Sequence, residues 1–385
     1  MKTNKSYIIG LWVFLLTACN SFLDEQPTGT MTTDSKLTSK ESALALTNSV
    51  YLENTVFDKA VPGWGCNTVL LLEYMTGKAT SENSQTSYKD FQDLLVSDRS
   101  LYIEDWWVGC YAGIANCNLA LQKLKEFTSL EASLIDGYLA EVKFMRALYY
   151  FYLVRIFGDV PKITTVQSEL DELQVFRSPV KEIYDEIIIP DLLEAERLLV
   201  NDPIVEFGVK GNTKDVFLQD RNLRLNYYAV QGLLARAYLY MGNNERALYY
   251  AESVIKIQEE KFPWITPMKL NNSKSADCVF STEIMFALQN LDRNTLYTSL
   301  FDGANLKLNS LLAPRGDVVD YVFESDKTDY RYSSSLNGTV EISGTTYRVF
   351  NKFQGTDSLY NQMIPMIRIS EMYMIAAETS TDGPT

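Results

Sequence analysis

Residues Asn226–Met241 and Asn244–Lys256 read as two helices divided by one short break, Gly242-Asn243. Ala235, Tyr238, Gly242, Ala247 and Ala251 fall where two antiparallel helices would face each other. Small residues at such positions let the two backbones approach closely. A chain carrying this pair is directed towards helix-on-helix packing.

The spacing of those five residues is near that of a tetratricopeptide repeat. Residues 101–127 give a second helical pattern, with Trp107, Tyr111, Ile114, Leu121 and Leu124 as its apolar stripe. Another helix runs from about Leu130 to Phe157 and stops at Gly158-Asp159-Val160-Pro161, where Gly ends the helix and Pro prevents its resumption. A further helix is expected from Ser178-Pro179, with Ser as its cap and Pro190 kinking it. Thr38-Ser39-Lys40-Glu41 is a capping box for a helix along Ala43, Leu46 and Val50. Residues 60–100 are loop-rich, 261–331 are irregular, and Gly338–Ser343 with Thr345–Phe353 form a hairpin around Gly344. Ile364–Glu378 reads as a last helix. The expected fold is mainly α: helical hairpins of tetratricopeptide-like type with long irregular loops and a small β-hairpin.

The N-terminus has a different grammar. Lys2 and Lys5 precede an apolar run from Ile8 to Ala18, too short to cross a bilayer core, which needs roughly 20 residues. It has the length of a signal-peptide core and ends Leu16-Thr17-Ala18-Cys19, a bacterial lipobox. Cleavage before Cys19 leaves the thiol carrying lipid, and more than one acyl chain makes a durable membrane anchor. The expected organisation is a signal peptide over 1–18, a lipidated tether over 19–30 and one helical domain over 31–378. That domain has an N-terminal part to about 260 and a C-terminal part from about 261, followed by the tail 379–385. Asp24 and Glu25, close behind the lipid site, resemble a surface-export signal.

Composition excludes several chemistries. The chain has no histidine, which removes Ser-His-Asp and Cys-His catalysis and most zinc sites. Neither a cofactor nor a metal site is expected. The formal charge is −14, and about −16 once Lys2 and Lys5 leave with the signal peptide, so nucleic acid is not an expected partner. Apart from Cys19, the cysteines are Cys66, Cys110, Cys117 and Cys278, and all four read as buried thiols. Cys110 and Cys117 would stand ~10.5 Å apart along a helix, beyond disulfide reach.

In order along the chain, several segments resemble one family. They are Trp107-x3-Tyr111-x2-Ile114-x-Asn116-Cys117-Asn118, Arg146-Ala147 through Phe157-Gly158-Asp159-Val160-Pro161, Asp191-Leu192-x2-Ala195 and Ala235-Arg236-Ala237-Tyr238-Leu239. Asp329-Tyr330-Arg331, Lys352-Phe353 and Pro365 through Glu378 complete the series. With the lipobox, this series resembles the SusD/RagB nutrient-binding lipoproteins of Bacteroidetes. The resemblance implies a non-enzymatic lipoprotein on the outer membrane, exposed at the cell surface. It would bind oligosaccharide or peptide and deliver it to a SusC-like TonB-dependent transporter. Members of that family continue for a hundred or more residues past the last matching helix. The resemblance therefore implies a shortened chain, with apolar surface near Met372 and Ile375 either exposed or covered otherwise.

Two other readings stand beside it: a glycosidase working through carboxylates, which needs no histidine, and a helical-repeat scaffold for protein partners. Against catalysis, Arg146, Arg155 and Asp159 read as supports of a helix end, Arg368 with Glu371 as a local ion pair, and Asp329-Tyr330-Arg331 as a turn anchor. Ligand candidates come from the loop-rich regions, which resemble where the family places its ligand surface. Trp64 and Trp264 each stand open to sugar stacking or to core packing. Trp106 is a candidate because Trp107 takes the packing position and adjacent helical residues diverge by about 100°. Tyr88, Asn290, Asp292, Arg293 and Tyr297 complete the set by loop context.

Overall fold

The structure is a computed structural model. It describes residues 39–51, 100–166, 175–211, 214–270, 276–291, 293–305, 316–324, 326–336, 338–342, 344–355 and 359–380. Cys19, Cys66, Trp64, Tyr88 and Asp292 lie outside these residues. Among the described residues, seven helices of ten or more residues carry the fold: α1 (Lys40–Ser49), α2 (Ser100–Lys123), α3 (Ala132–Phe157), α4 (Ile189–Leu198), α5 (Tyr227–Tyr240), α6 (Asn244–Ile255) and α7 (Ile369–Thr379). They pack in succession, α2 on α3, α3 on α4, α4 on α5, α5 on α6 and α6 on α7, while α1 lies on α3. The mainly helical fold read from the sequence is the fold observed. None of these helices is long and apolar enough to cross a membrane.

The α5–α6 break forms as the sequence requires. Gly242 sits at φ 73°, where a β-carbon is disfavoured, and its N–H donates to Leu239 O. Asn243 then caps α6, its side chain accepting from the N–H of Arg246. At the first pair of helices, the tightest approach is at Gly113. A β-carbon there would lie 2.2 Å from the ring of Tyr149, whose hydroxyl donates to Val50 O at 2.8 Å.

Several local expectations shift. The apolar stripe of α2 is turned by one residue and runs through Trp106, Cys110, Ile114, Cys117 and Leu124, all buried. The cysteines serve there as small hydrophobes, and burial pushes the Cys117 thiol up. Ser39 caps α1, its side chain accepting from the N–H of Ser42. Ser178 does not cap the next helix, because it is held extended in the short antiparallel pair of β1 (Val160–Pro161) and β2 (Arg177–Ser178). Asp159 reaches across instead and accepts from the N–H of Val180 at 2.9 Å. Pro190 produces a wide π-helical turn over Tyr184–Ile188, because its ring cannot share space with the carbonyl one turn back.

The stretch read as irregular holds β3 (Ile284–Gln289), buried along nearly its whole length. It pairs antiparallel with a strand that the sequence placed inside the last helix. After the hairpin of β4 (Gly338–Ile342) and β5 (Thr345–Val349), the chain enters β6 (Met363–Arg368), and α7 begins only at Ile369. Pro365 explains the shift, since it forbids a helix interior but fits a two-stranded edge. The strand pair lies under α5, where Gly232 leaves room for Met285 and Ile367. Met372 and Ile375 are covered, because that face of α7 packs on α5 and α6. The outward apolar residues of α7 are Tyr373 and Met374.

Buried ion pairs join the helices. Glu141 on α3, fully buried, accepts from Arg224 at 2.8 Å and faces Arg221, which is forked onto Asp202. Arg146 on α3 forks onto Asp191 of α4 and donates to Asn118 of α2. Arg236 of α5 forks onto Glu371 of α7, so Glu371 pairs with Arg236 and not with Arg368. Arg155 lies over the ring of Tyr240, 4.2 Å from its centre. Arg155 and Asp159 lie at the end of α3 with protein partners, whereas Arg146, eleven residues before that end, ties α3 to α2 and α4.

Candidate functional site

An open cleft of about 550 Å³ lies where four chain segments meet. The first is Trp264-Ile265, which follows α6 and its short continuation Gln258–Lys261. The second is the tight turn Phe280–Glu283 that leads into β3, the third is Thr328–Arg331, and the fourth is the junction of β6 with α7.

Each segment is fixed locally. Phe280 is held at φ 60°, costly for a residue with a β-carbon. Asp277 holds that turn, its carboxylate accepting from the N–H of Ser281 at 3.0 Å and from its hydroxyl at 2.7 Å. The Phe280 ring is buried with Ile265 and Leu270, so the cleft has a packed apolar base. In the Thr328–Arg331 segment, Asp329 accepts from the backbone N–H of Arg331 and from its Nε and one terminal guanidinium nitrogen. That fork holds the Asp329 carboxyl below its ordinary range.

Two exposed aromatic rings line the cleft, Trp264 at 46% and Tyr330 at 42% exposure. The indole leans on Tyr373, with ring centres 5.4 Å apart. Glu283 also lines the cleft, and its Oε1 accepts from the N–H of Ile265 at 3.1 Å. Burial pushes its carboxyl above the usual carboxylate range, against the pull of Arg368 and Arg331. Arg368 stands over the Phe280 ring, 5.8 Å from its centre. An amphipathic wall of this kind suits a sugar: ring faces for C–H groups, and carboxylates and guanidinia for hydroxyls.

Of the sequence candidates among the described residues, Trp264 is the one that lines this cleft. Trp106 is corrected: its indole is fully buried in the α2 stripe and closed to a ligand. Arg293 is also a core residue. Its guanidinium donates to the carbonyls of Tyr360 and Met363, and burial pushes its pKa down to about 10. Asn290 and Tyr297 are also buried, with the N–H of Asn290 donating to Gln362 O beside the end of β3, so none of the three presents an exposed ligand surface. The sequence reading passed over Glu283, and it gave Tyr330, Arg331 and Arg368 structural roles only. Tyr330-Arg331 does anchor a turn, and the turn is also a wall of the cleft.

A SusD-like family described as starch-binding and associating with the outer membrane matches residues 21–211. A SusD superfamily protein of Parabacteroides distasonis is 44% identical and superimposes with a TM-score of 0.66, over 89% of this chain and 76% of that one. SusD-like protein P2 of Formosa agariphila is 27% identical over 197 residues, 51% of this chain and 38% of the relative. This chain thus spans about two fifths of the length of the curated relatives it matches. A laminarin-binding SusD-like protein shares the fold at 18% identity, with a TM-score of 0.61 over 89% of this chain and 80% of that one.

Proposed function

The chain belongs to the SusD superfamily, and from that premise we propose that it binds a glycan in the cleft around Trp264. The observation that carries this reading is one cleft lined by the half-exposed Trp264 indole, a second exposed aromatic residue, Tyr330, and hydrogen-bonding carboxylates and guanidinia. The binding of laminarin by one relative of the same fold supports a glycan as the ligand class.

The lipobox at Cys19 supports attachment to the outer membrane by lipid, with the binding domain at the cell surface. In this reading the protein concentrates glycan and passes it to a SusC-like TonB-dependent transporter, without cleaving a bond. Substituting Trp264→Ala should weaken glycan binding about tenfold in a calorimetric titration, as for an aromatic anchor at a binding surface. Unchanged affinity would remove the cleft from the account. For the anchor, labelled palmitate should enter the chain in growing cells and be lost in Cys19→Ser. Cross-linking on those cells should capture a barrel protein, and capture of none would count against delivery.

A further inference from the structure

Glu283 is the one carboxyl of the cleft that no cation forks. Asp329 is consumed by Arg331, whose Nε and one terminal nitrogen both donate to it. Glu283 has a single protein hydrogen bond among the described residues, from the N–H of Ile265 to Oε1. Its residue surface is nearly all buried, and the residue lines the cleft. The carboxyl is pinned through Oε1 at the wall of the cleft. A group fixed in this way loses little freedom when it accepts a hydrogen bond, which favours a directed contact.

Charge around the cleft is balanced. Arg331 and Arg368 face Glu283 and Asp329, and the chain as a whole is acidic. Among the described lining residues, two cations are matched by two carboxylates, with no surplus cation to offset the desolvation of a uronate or a sulfate. A neutral sugar brings hydroxyl donors that an ionised carboxyl accepts strongly. Resting on the glycan-binding reading above, we propose that Glu283 is the specificity-determining acceptor of the cleft and that it selects a neutral saccharide over an anionic one.

The groups that face Glu283 are Asp277 before its own turn, Arg331 with Asp329 in the Thr328–Arg331 segment, and Arg368 at the start of α7. Asp277 raises the Glu283 carboxyl while the two arginines lower it, and burial is the larger influence. The ionised form is the acceptor, so binding should weaken as pH falls through the range in which Glu283 takes up its proton.

The test is calorimetric titration of the purified chain, Trp264→Ala and Glu283→Gln with neutral gluco- and xylo-oligosaccharides and with oligogalacturonate, from about pH 4.5 to 8. Gln keeps an acceptor for Ile265, so the variant should fold, and circular dichroism checks that it does. The expected result is that the wild type binds a neutral oligosaccharide at least tenfold more tightly than the uronate. Glu283→Gln should lose about tenfold in affinity and lose the pH slope, whereas Trp264→Ala should lose affinity and keep the slope. Tighter binding of oligogalacturonate by the wild type, or wild-type affinity and slope in Glu283→Gln, would overturn the inference and leave the glycan reading intact. Binding of neither class by the wild type would overturn both.

Discussion

The molecule uses arginine–carboxylate forks in two settings, inside the helical array and at the rim of the cleft. Arg146 with Asp191, Arg236 with Glu371, and Arg221 with Asp202 and Glu141 tie helices or their connections together and are closed off from water to differing degrees. Arg331 with Asp329 makes the same two-bonded contact, yet the arginine side chain is 64% exposed and lines an open cleft. The chemistry is shared, and burial divides the roles. A buried fork whose partner is removed leaves a charge that neither protein nor water can satisfy. An exposed fork is worth little to stability and remains available to a ligand.

That contrast can be broken most forcefully at Glu141. Glu141→Ala leaves Arg221 and Arg224 without their shared carboxylate in a sealed site, and should cost about 3–5 kcal/mol in urea unfolding. A cost below about 1 kcal/mol would mean that the core forks behave like surface ones. Gly113→Ala tests the same array through packing. The new methyl meets the Tyr149 ring and should cost about 1–3 kcal/mol by overpacking.

At the cleft the expected effects move from stability to binding. Arg331→Ala should change unfolding by roughly 0.2–1 kcal/mol, since it removes a half-exposed turn contact. It should also lower glycan affinity, and a stability loss as large as that of Glu141→Ala would erase the distinction between the two settings. The smallest effect is the pH dependence contributed by Glu283. Burial raises its carboxyl in the folded chain, so between the ordinary carboxylate range and that raised range the folded state holds more protons than the unfolded state. Stability should therefore fall slightly as pH rises through that window, and Glu283→Gln should abolish that part of the slope.

The two regions also differ in how far they can be read from sequence. The α5–α6 hairpin is legible because Gly242, Asn243 and the small residues act locally, through backbone angle, cap and close approach. The β4–β5 hairpin is legible for the same reason at Gly344. The β3–β6 pair is hidden because its two buried apolar runs find each other across some seventy residues, and a short apolar run fits strand or helix equally well. The cap of the Val180 helix is hidden because Asp159 supplies it from across β1 and β2. In α2, Trp106 joins the fully buried stripe while Trp107 packs part-buried on Tyr111 and Phe157, because that stripe passes through Cys110 and Cys117, residues that a hydrophobic-periodicity reading weights lightly.

The cleft is the least legible part. Trp264 stands out as an aromatic residue in a proline-bracketed loop, but its partners come from four separate segments. Glu283 carries no motif, and Arg368 lies beside Glu371 in sequence while Glu371 turns to Arg236. Tertiary packing decides these pairings, and it also decides that Arg293 and Tyr297 face inward.

Calorimetric titration of the wild-type chain and Trp264→Ala against the same neutral oligosaccharide tests the central claim most directly. The account predicts saturable binding to the wild type, about a tenfold loss in the variant, and an unfolding midpoint close to wild type. Equal affinity in the two proteins would contradict it.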